Sequence, residues 1–520
     1  MNDIEYLIAL LAAATLLVRV ADLVAVPYPI VLVVAGLGVG FIDGLPNIEL
    51  SPELVFLVFL PPLLHAEAWN SSARELRVEL GPLAMLSIGL VLATVAVVAV
   101  VAHAAIPGLN WAEAFTLGAI VGPTDPVSAS ATFARIGVPY RVGVVVKGES
   151  LVNDATALVL YRSGAAAIVS GSFSVWHTAG DVLLTATGGV LIGAAFGWLS
   201  IALVQKLGDQ AVAVVSGVLL AYISYVVAEE AGVSGVLAVV ATGVWVGWHS
   251  HRMDPEVRLS TIAFWQVLLL VLNALLFLLL GLQFSSIVDG VRQFGNVGSL
   301  VLDAALVSLA VIAVRLVVQF GPVTLGRFVP GMASLDPADT WQERVVVGWS
   351  GMRGAISLAA ALSLPLAVTS RDQMIFVTFA VILATLLVQG LTLPLVIRLL
   401  GVEGERAWTP DEAIARLEAA QAALDELDEL EQTGEIPEEI IVRLRELYQA
   451  RFQRCVAVLG GDKQGPPDKP RIGYGRLRRK LIASERAALI DLRNQGRLRQ
   501  DVLRRIERDL DLEEARLVGR

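Results

Sequence analysis

The chain has 520 residues, of which 56% are hydrophobic and 17% are charged, with a formal net charge of −10 at pH 7. Apolar runs close to the roughly 20 residues that a bilayer core requires recur along about the first 400 positions, which excludes a soluble globular protein and indicates an all-α membrane protein. A single cysteine, Cys455, excludes an intrachain disulfide framework and a cysteine-rich zinc site.

Polar residues and Gly/Pro clusters divide the apolar region into thirteen predicted transmembrane helices. The first is retained, because "MNDIEYLIALL" has acids where a secretory signal needs basic residues. Lys and Arg fall mostly in alternate loops, which predicts an outside N-terminus and a cytoplasmic C-terminus. The predicted spans are residues 4–20, 28–42, 52–70, 80–106, 111–134, 142–168, 179–204, 210–228, 233–249, 259–284, 299–320, 341–366 and 373–400.

The composition changes abruptly after residue 401, so we divide the chain into a transmembrane domain, residues 1–401, and a cytoplasmic helical tail, residues 402–520. Thr409 as N-cap and Pro410 at the first helical position predict the start of the first of two soluble helices. A final Arg-rich amphipathic helix follows a Gly/Pro-rich loop. The tail is either a solvated appendage or an element for regulation or assembly.

The sixth span contains "GESLVNDATALVL", with two acids inside an apolar run. An ionisable group at mid-bilayer costs several kcal/mol unless it is used or paired. Helical spacing places Ser150 and Asp154 on one face and Glu149 and Asn153 on the adjacent face. One carboxylate with a hydroxyl can hold a small hard cation, and the other acid can pair with a buried base.

The fifth span contains "IVGPTDPVSAS", in which Gly122, Pro123 and Pro126 interrupt the helix. Unwound backbone at membrane depth must line a cavity or be buried in protein, and its freed carbonyls are cation ligands. Asp125 offsets the positive end of the half-helix that follows. The alternative is a simple proline kink, which would need only one proline.

The twelfth span contains "GWSGMRGAISLAAAL", where Arg353 lies between glycines. A buried arginine keeps its charge and needs a nearby acid, and Glu149 is the proposed partner. The fifth and twelfth spans cross in opposite directions, which predicts two inverted six-helix repeats, spans 1 to 6 and 8 to 13, with crossed broken helices at the midplane. Glu67 in the third span either reaches the same cavity or lies at the cytoplasmic end, and Arg315 is interpreted as structural.

These motifs, together with "FLPPLL", resemble those of the monovalent cation/proton antiporter family, which includes bacterial sodium/proton antiporters and animal sodium/proton exchangers. The resemblance covers roughly residues 4–400. It implies a thirteen-helix fold with a core domain and a dimerisation domain, a homodimer, and elevator-like movement of the core.

The resemblance also implies roles for individual residues. Asp154 would bind Na⁺ and the proton, Asn153 would be its neighbour in the Asn-Asp motif, and Glu149 with Arg353 would form a structural ion pair. Members with this Asn-Asp pair resemble electroneutral exchangers. The further ion-binding candidates are Ser150, the backbone carbonyl of Thr124, and Glu67.

The motifs and the resemblance together imply a transporter that exchanges Na⁺ or Li⁺ for H⁺, one for one, across a bacterial inner membrane. We expect no enzymatic activity, no cofactor and no nucleic-acid partner. The alternatives are K⁺/H⁺ exchange and an ion-responsive sensor that acts through the tail. A channel is disfavoured because no filter-like repeat is present, and a primary pump because no GxxxxGK[ST] loop is present.

Overall fold

The computed structural model describes residues 3–42, 51–70, 73–170, 175–207, 210–292, 297–325, 340–366, 368–402, 410–433 and 437–459, together with Glu485 and Leu510. Regular structure in these segments is entirely helical, without strands. The chain divides into two compact units, Met1–Gly404 and Glu405–Arg520, and each is described by itself.

The first half of unit one contains eight helices, and a π-helical turn, Val55–Phe59, joins the third to the fourth. Their bounds are α1 Asp3–Val24, α2 Tyr28–Gly40, α3 Pro52–Leu54, α4 Leu60–Asn70, α5 Ala73–Ala105, α6 Trp111–Ile120, α7 Val127–Ile136 and α8 Tyr140–Ser170.

Ten more helices complete unit one, with a 3₁₀ turn, Ser250–Arg252, after the third of them and a second π-helical turn, Thr385–Gln389, before the last. Their bounds are α9 Val175–Leu207, α10 Gln210–Glu230, α11 Gly235–His249, α12 Pro255–Leu282, α13 Phe284–Arg292, α14 Val297–Leu325, α15 Trp341–Trp349, α16 Ala355–Leu362, α17 Arg371–Ala384 and α18 Gly390–Leu400. The sequence predicted neither α13 nor the π-helical turns.

Within the described residues, six helical segments are long and apolar enough to cross a membrane. They are Ser87–Ala105, Leu183–Lys206, Gln210–Glu230, Pro255–Val291, Gly298–Gly321 and Arg371–Leu400. The fifth and twelfth predicted spans are each divided into two short helices, α6 with α7 and α15 with α16, since their glycines and prolines interrupt the hydrogen-bond ladder. Unit one is therefore a multi-pass membrane domain.

Helix packing separates unit one into two groups. In the first, which we call the site bundle, α5 packs on α6, α8 and α14, α6 packs on α8, and α17 packs on α14 and α16. In the second, the wall bundle, α11 packs on α9, α10 and α4, and α12 packs on α2 and α1. The helices α6, α15 and α16 belong to the site bundle, because α15 also packs on α14 and α8, and α16 packs on α6.

Unit two contains α19, Pro410–Thr433, and α20, Glu438–Leu459, which pack against each other. Arg445 of α20 forms ion pairs with Asp428 and Glu431 of α19. Cys455 is buried on α20. The predicted final Arg-rich helix, apart from Glu485 and Leu510, lies outside the described residues.

Candidate ion-binding site

The two helix interruptions, residues 121–126 and 350–354, contact each other. The backbone N–H of Asp125 donates to the carbonyl of Met352 at 2.8 Å. The approach is so close that a Cβ at position 354 would clash with the side chain of Asp125. Glycine is needed there, and each interruption satisfies polar groups that the other leaves without helical partners.

Arg353 fastens the two interruptions through its side chain and its backbone. Its Nε donates to the carbonyl of Val121 at 2.7 Å and its Nη1 to the carbonyl of Gly351 at 2.5 Å. Its backbone N–H donates to Thr385 Oγ1 at 3.0 Å, at the start of the second π-helical turn. The guanidinium is buried and therefore needs hydrogen-bond acceptors in place of water. Carbonyl oxygens that the broken helices have freed supply them.

Asp125 lies two residues before the first residue of α7. Its Oδ1 accepts a hydrogen bond from the backbone N–H of Val127 at 2.8 Å, where a helix N-terminus favours negative charge. The same residue lines a cavity, so its carboxylate both caps the half-helix and adds negative charge to that cavity.

Asp154 of α8 is 2% exposed and faces the first interruption. Its Oδ1 accepts a hydrogen bond from the backbone N–H of Thr124 at 3.2 Å. Ser150 Oγ donates to the carbonyl of the same Thr124 at 2.5 Å. A carboxylate, a hydroxyl and a freed carbonyl therefore converge, and these are oxygen ligands of the kind that hard cations prefer.

A cavity of about 40 Å³ lies beside Asp154. This exceeds the roughly 10–15 Å³ that one water requires. Three acidic residues line the cavity, Asp154, Asp125 and Glu67, and Asn273 of α12 lines it as well. Of the two interpretations of Glu67, the structure supports the one in which α4 brings it to the cavity. The grouped acids make the cavity attractive to cations.

Glu149 lies on the other polar face of α8 and is 1% exposed. Its Oε1 is 2.6 Å from Nη1 of Arg315, which is equally buried on α14. Gln319, one turn further along α14, donates through Nε2 to Glu149 Oε2 at 3.2 Å. Glu149 is therefore held by a permanent cation and an amide donor from one neighbouring helix.

This arrangement corrects the expected ion pair between Glu149 and Arg353. The structure pairs Glu149 with Arg315, because α14 presents Arg315 and Gln319 on one face against α8. Arg353 is satisfied by backbone carbonyls, although it remains close enough to Glu149 and Asp154 for their charges to act on it. A signal for the true partner was present, since Arg315 and Gln319 are four residues apart in an apolar span.

Asn153 connects the two faces of α8. Its Nδ2 lies 3.3 Å from Thr124 Oγ1 and 3.3 Å from Glu149 Oε1, so the amide donates toward both the interruption and the ion pair. Its Oδ1 has no hydrogen-bond partner among the described residues. The structure thus places Asn153 next to Asp154 and in contact with the Thr124 side chain.

Residues 6–399 match the sequence model of the family described as "Sodium/hydrogen exchanger, transmembrane". The chain is 36% identical over 414 residues to the Na(+)/H(+) antiporter ApNhaP of Aphanothece halophytica, which covers 78% of this chain and 75% of the relative. It is 33% identical over 518 residues to the low-affinity Na(+)/H(+) antiporter NhaS1 of Synechocystis sp., with 96% and 94% of the two chains covered.

Among solved structures, the sodium proton antiporter MjNhaP1 from Methanocaldococcus jannaschii has a similar fold, with a TM-score of 0.62 at 20% identity over 76% of this chain and 98% of that chain. The family model and the curated relatives confirm the family expected from the motifs. The chain therefore belongs to the transmembrane sodium/hydrogen exchanger family, whose members are transporters rather than enzymes.

Proposed function

We propose that this protein exchanges Na⁺ or Li⁺ for H⁺, one for one, across a bacterial inner membrane. The observation that carries the proposal is the buried carboxylate of Asp154, set against Ser150 and the freed carbonyl of Thr124 beside an acidic cavity. The names of the two curated relatives support Na⁺ and H⁺ as the exchanged ions.

Competition at one carboxylate is sufficient to couple the two ions. A bare charge on Asp154 would have to cross an apolar passage, which is costly, so movement requires that a cation or a proton neutralise it. The two ligands exclude each other because both occupy the same oxygens. Asn153 is neutral and cannot bind a second proton. Each half-cycle therefore moves one singly charged ion, Na⁺ in one direction and H⁺ in the other, and the exchange is electroneutral.

The cation ligands can be formed with little rearrangement. Ser150 already donates its hydroxyl hydrogen to the Thr124 carbonyl, so its lone pairs are available to a cation. The Thr124 carbonyl has a second lone pair, and Asp154 supplies the charge. Sodium, lithium and potassium all accept such oxygen ligands, so K⁺/H⁺ exchange is the alternative to be tested.

The exchange would be tested in proteoliposomes containing a pH-sensitive dye, at clamped membrane potential, with Na⁺, Li⁺ and K⁺ added in turn. Proton movement driven by Na⁺ or Li⁺ is expected, with a rate that does not change when a potential is imposed. A larger response to K⁺ would indicate the alternative exchanger, and a rate that follows the potential would reject one-to-one stoichiometry. No response to any of the three cations from folded protein would reject the proposal.

We further propose that the site bundle moves past the wall bundle in an elevator-like step. This proposal includes thirteen transmembrane helices in two inverted six-helix repeats whose broken helices cross, and a homodimer with an outside N-terminus and a cytoplasmic tail. The contact between the two interruptions, one from each proposed repeat, supports this arrangement.

An ion pair between the bundles provides a test of the movement. Arg162 of α8 donates through Nη2 to both carboxylate oxygens of Glu229, at the end of α10, at 2.7 and 2.9 Å. The test variant carries Arg162→Cys and Glu229→Cys, with Cys455→Ser to remove the native thiol. A short, cleavable cross-linker would then join the two introduced thiols. Exchange should stop on cross-linking and return on reduction.

The matched control joins two parts of the site bundle. Tyr161 and Ser363 are in hydrogen-bond contact at 2.7 Å, so Tyr161→Cys with Ser363→Cys takes the same cross-linker. This pair should keep exchanging when cross-linked. Full exchange by the linked Arg162 and Glu229 positions would show that the bundles need not move apart there.

A further inference from the structure

Asn273 is the one polar residue between Val267 and Leu282 in α12. It is 7% exposed and lies on the wall bundle. A buried amide without a hydrogen bond in an apolar span is energetically unfavourable, and polar residues inside membranes are commonly kept for a function. The presence of this amide therefore requires a physical reason.

Helix–helix hydrogen bonding does not supply that reason. The Asn273 side chain makes no hydrogen bond with any part of the chain that the structure describes. It also differs from Gln389, whose amide oxygen and nitrogen are both fully enclosed and unpartnered. Asn273 instead lies on the wall of the cavity that holds Asp154.

The cavity receives its polar groups from both bundles. Asp154 and Asp125 come from the site bundle, whereas Glu67 of α4 and Asn273 of α12 come from the wall bundle. The three carboxylates give the cavity negative charge. Asn273 is the neutral polar side chain that the wall bundle contributes to the lining among the described residues. An amide oxygen is a ligand for hard cations, and it adds no further charge.

We propose that the Asn273 amide oxygen is a wall-side ligand of the transported cation in this arrangement of the bundles, and that it helps to set cation affinity. The inference rests on the proposed function, because it concerns the same cavity. A cation held there has ligands from both bundles and loses the Asn273 oxygen when the site bundle moves away. A proton on Asp154 needs no such ligand, so Asn273 acts on the cation half-cycle alone.

The test compares Asn273→Leu with the unsubstituted protein in proteoliposomes. Leucine has a similar volume and suits the apolar surroundings, but it removes the oxygen. The KM for Na⁺ should rise about tenfold or more, the size expected for losing one polar contact to a charged ligand, while the maximal rate stays within about twofold. Asn273→Asp keeps an oxygen and should keep the KM at or below its original value.

A second readout is the Na⁺ concentration that half-maximally raises the thermal unfolding temperature in detergent, which should shift in parallel with the KM. Leu272→Met, at a buried neighbouring position away from the cavity, is the packing control and should change neither quantity. If Asn273→Leu does not fold, Asn273→Ala is measured in the same way.

An unchanged KM and an unchanged Na⁺ midpoint in the folded Asn273 variant would overturn the inference and leave the proposed exchange intact. Absence of cation-driven proton movement in the unsubstituted protein would instead reject the exchange itself, and with it the role of Asn273.

Discussion

The two polar faces of α8 each carry one acid and one neutral side chain, yet the two acids have different partners. Glu149 is held by the permanent charge of Arg315 and by Gln319, both from α14. Asp154 receives one backbone N–H, from Thr124, and faces a cavity. A carboxylate that already has a fixed cation is unavailable to other ligands, whereas one held by a neutral donor remains available to a cation or a proton.

The largest effect should follow from Asp154→Asn. The substitution keeps the shape and an oxygen that can accept from Thr124, so the protein should fold, but it removes the charge for which the two ions compete. Cation-dependent proton movement should fall to that of empty liposomes, with a thermal unfolding temperature close to that of the original protein. Coupled exchange in this variant would show that the two faces have been assigned wrongly.

Glu149→Gln should act chiefly on folding. It leaves Arg315 buried without a carboxylate, and breaking one partner of a buried ion pair typically costs about 3–5 kcal/mol. The expected result is a low yield of folded protein and a lower unfolding temperature in detergent. Glu149→Gln combined with Arg315→Gln removes both charges and should recover much of the stability.

A Glu149→Gln protein with normal stability and no exchange would contradict the prediction that this substitution acts chiefly on folding. That outcome would move Glu149 from the structural face to the ion site, and the comparison between the faces would fail.

Ser150→Ala should have a smaller effect, confined to the cation. It removes the hydroxyl that contacts the Thr124 carbonyl but leaves the charge of Asp154 in place. The KM for Na⁺ should rise by roughly tenfold, with the maximal rate within about twofold, as measured in the same proteoliposome assay. An unchanged KM would remove Ser150 from the set of cation ligands.

The smallest effect is expected for Thr124→Ala. The backbone N–H and carbonyl that serve Asp154 and Ser150 remain, and only the 3.3 Å contact between Thr124 Oγ1 and Asn153 is lost. Stability should fall by about 1 kcal/mol or less, and the KM for Na⁺ should stay within about twofold. A large rise in KM would show that the threonine side chain, rather than its backbone, holds the cation.

Much of the site could be predicted because it depends on local spacing. The four polar residues of α8 lie within six positions, so helical periodicity alone divides them between two faces. The glycines and prolines of residues 121–126 and the glycines of residues 350–354 similarly predict where the helices stop. Gln319 and Asn273 were missed because a single amide in an apolar span does not reveal which neighbour it faces.

The sequence by itself therefore determined the membrane class, the helix interruptions and the assignment of each side chain to a face, since these follow from hydropathy and backbone geometry over a few residues. Only the tertiary structure decided that Glu149 pairs with Arg315, that Arg353 is held by carbonyls, and that Glu67 and Asn273 reach the cavity of Asp154. These are contacts between helices distant in the sequence, and their partners are selected by helix packing and side-chain reach rather than by local spacing.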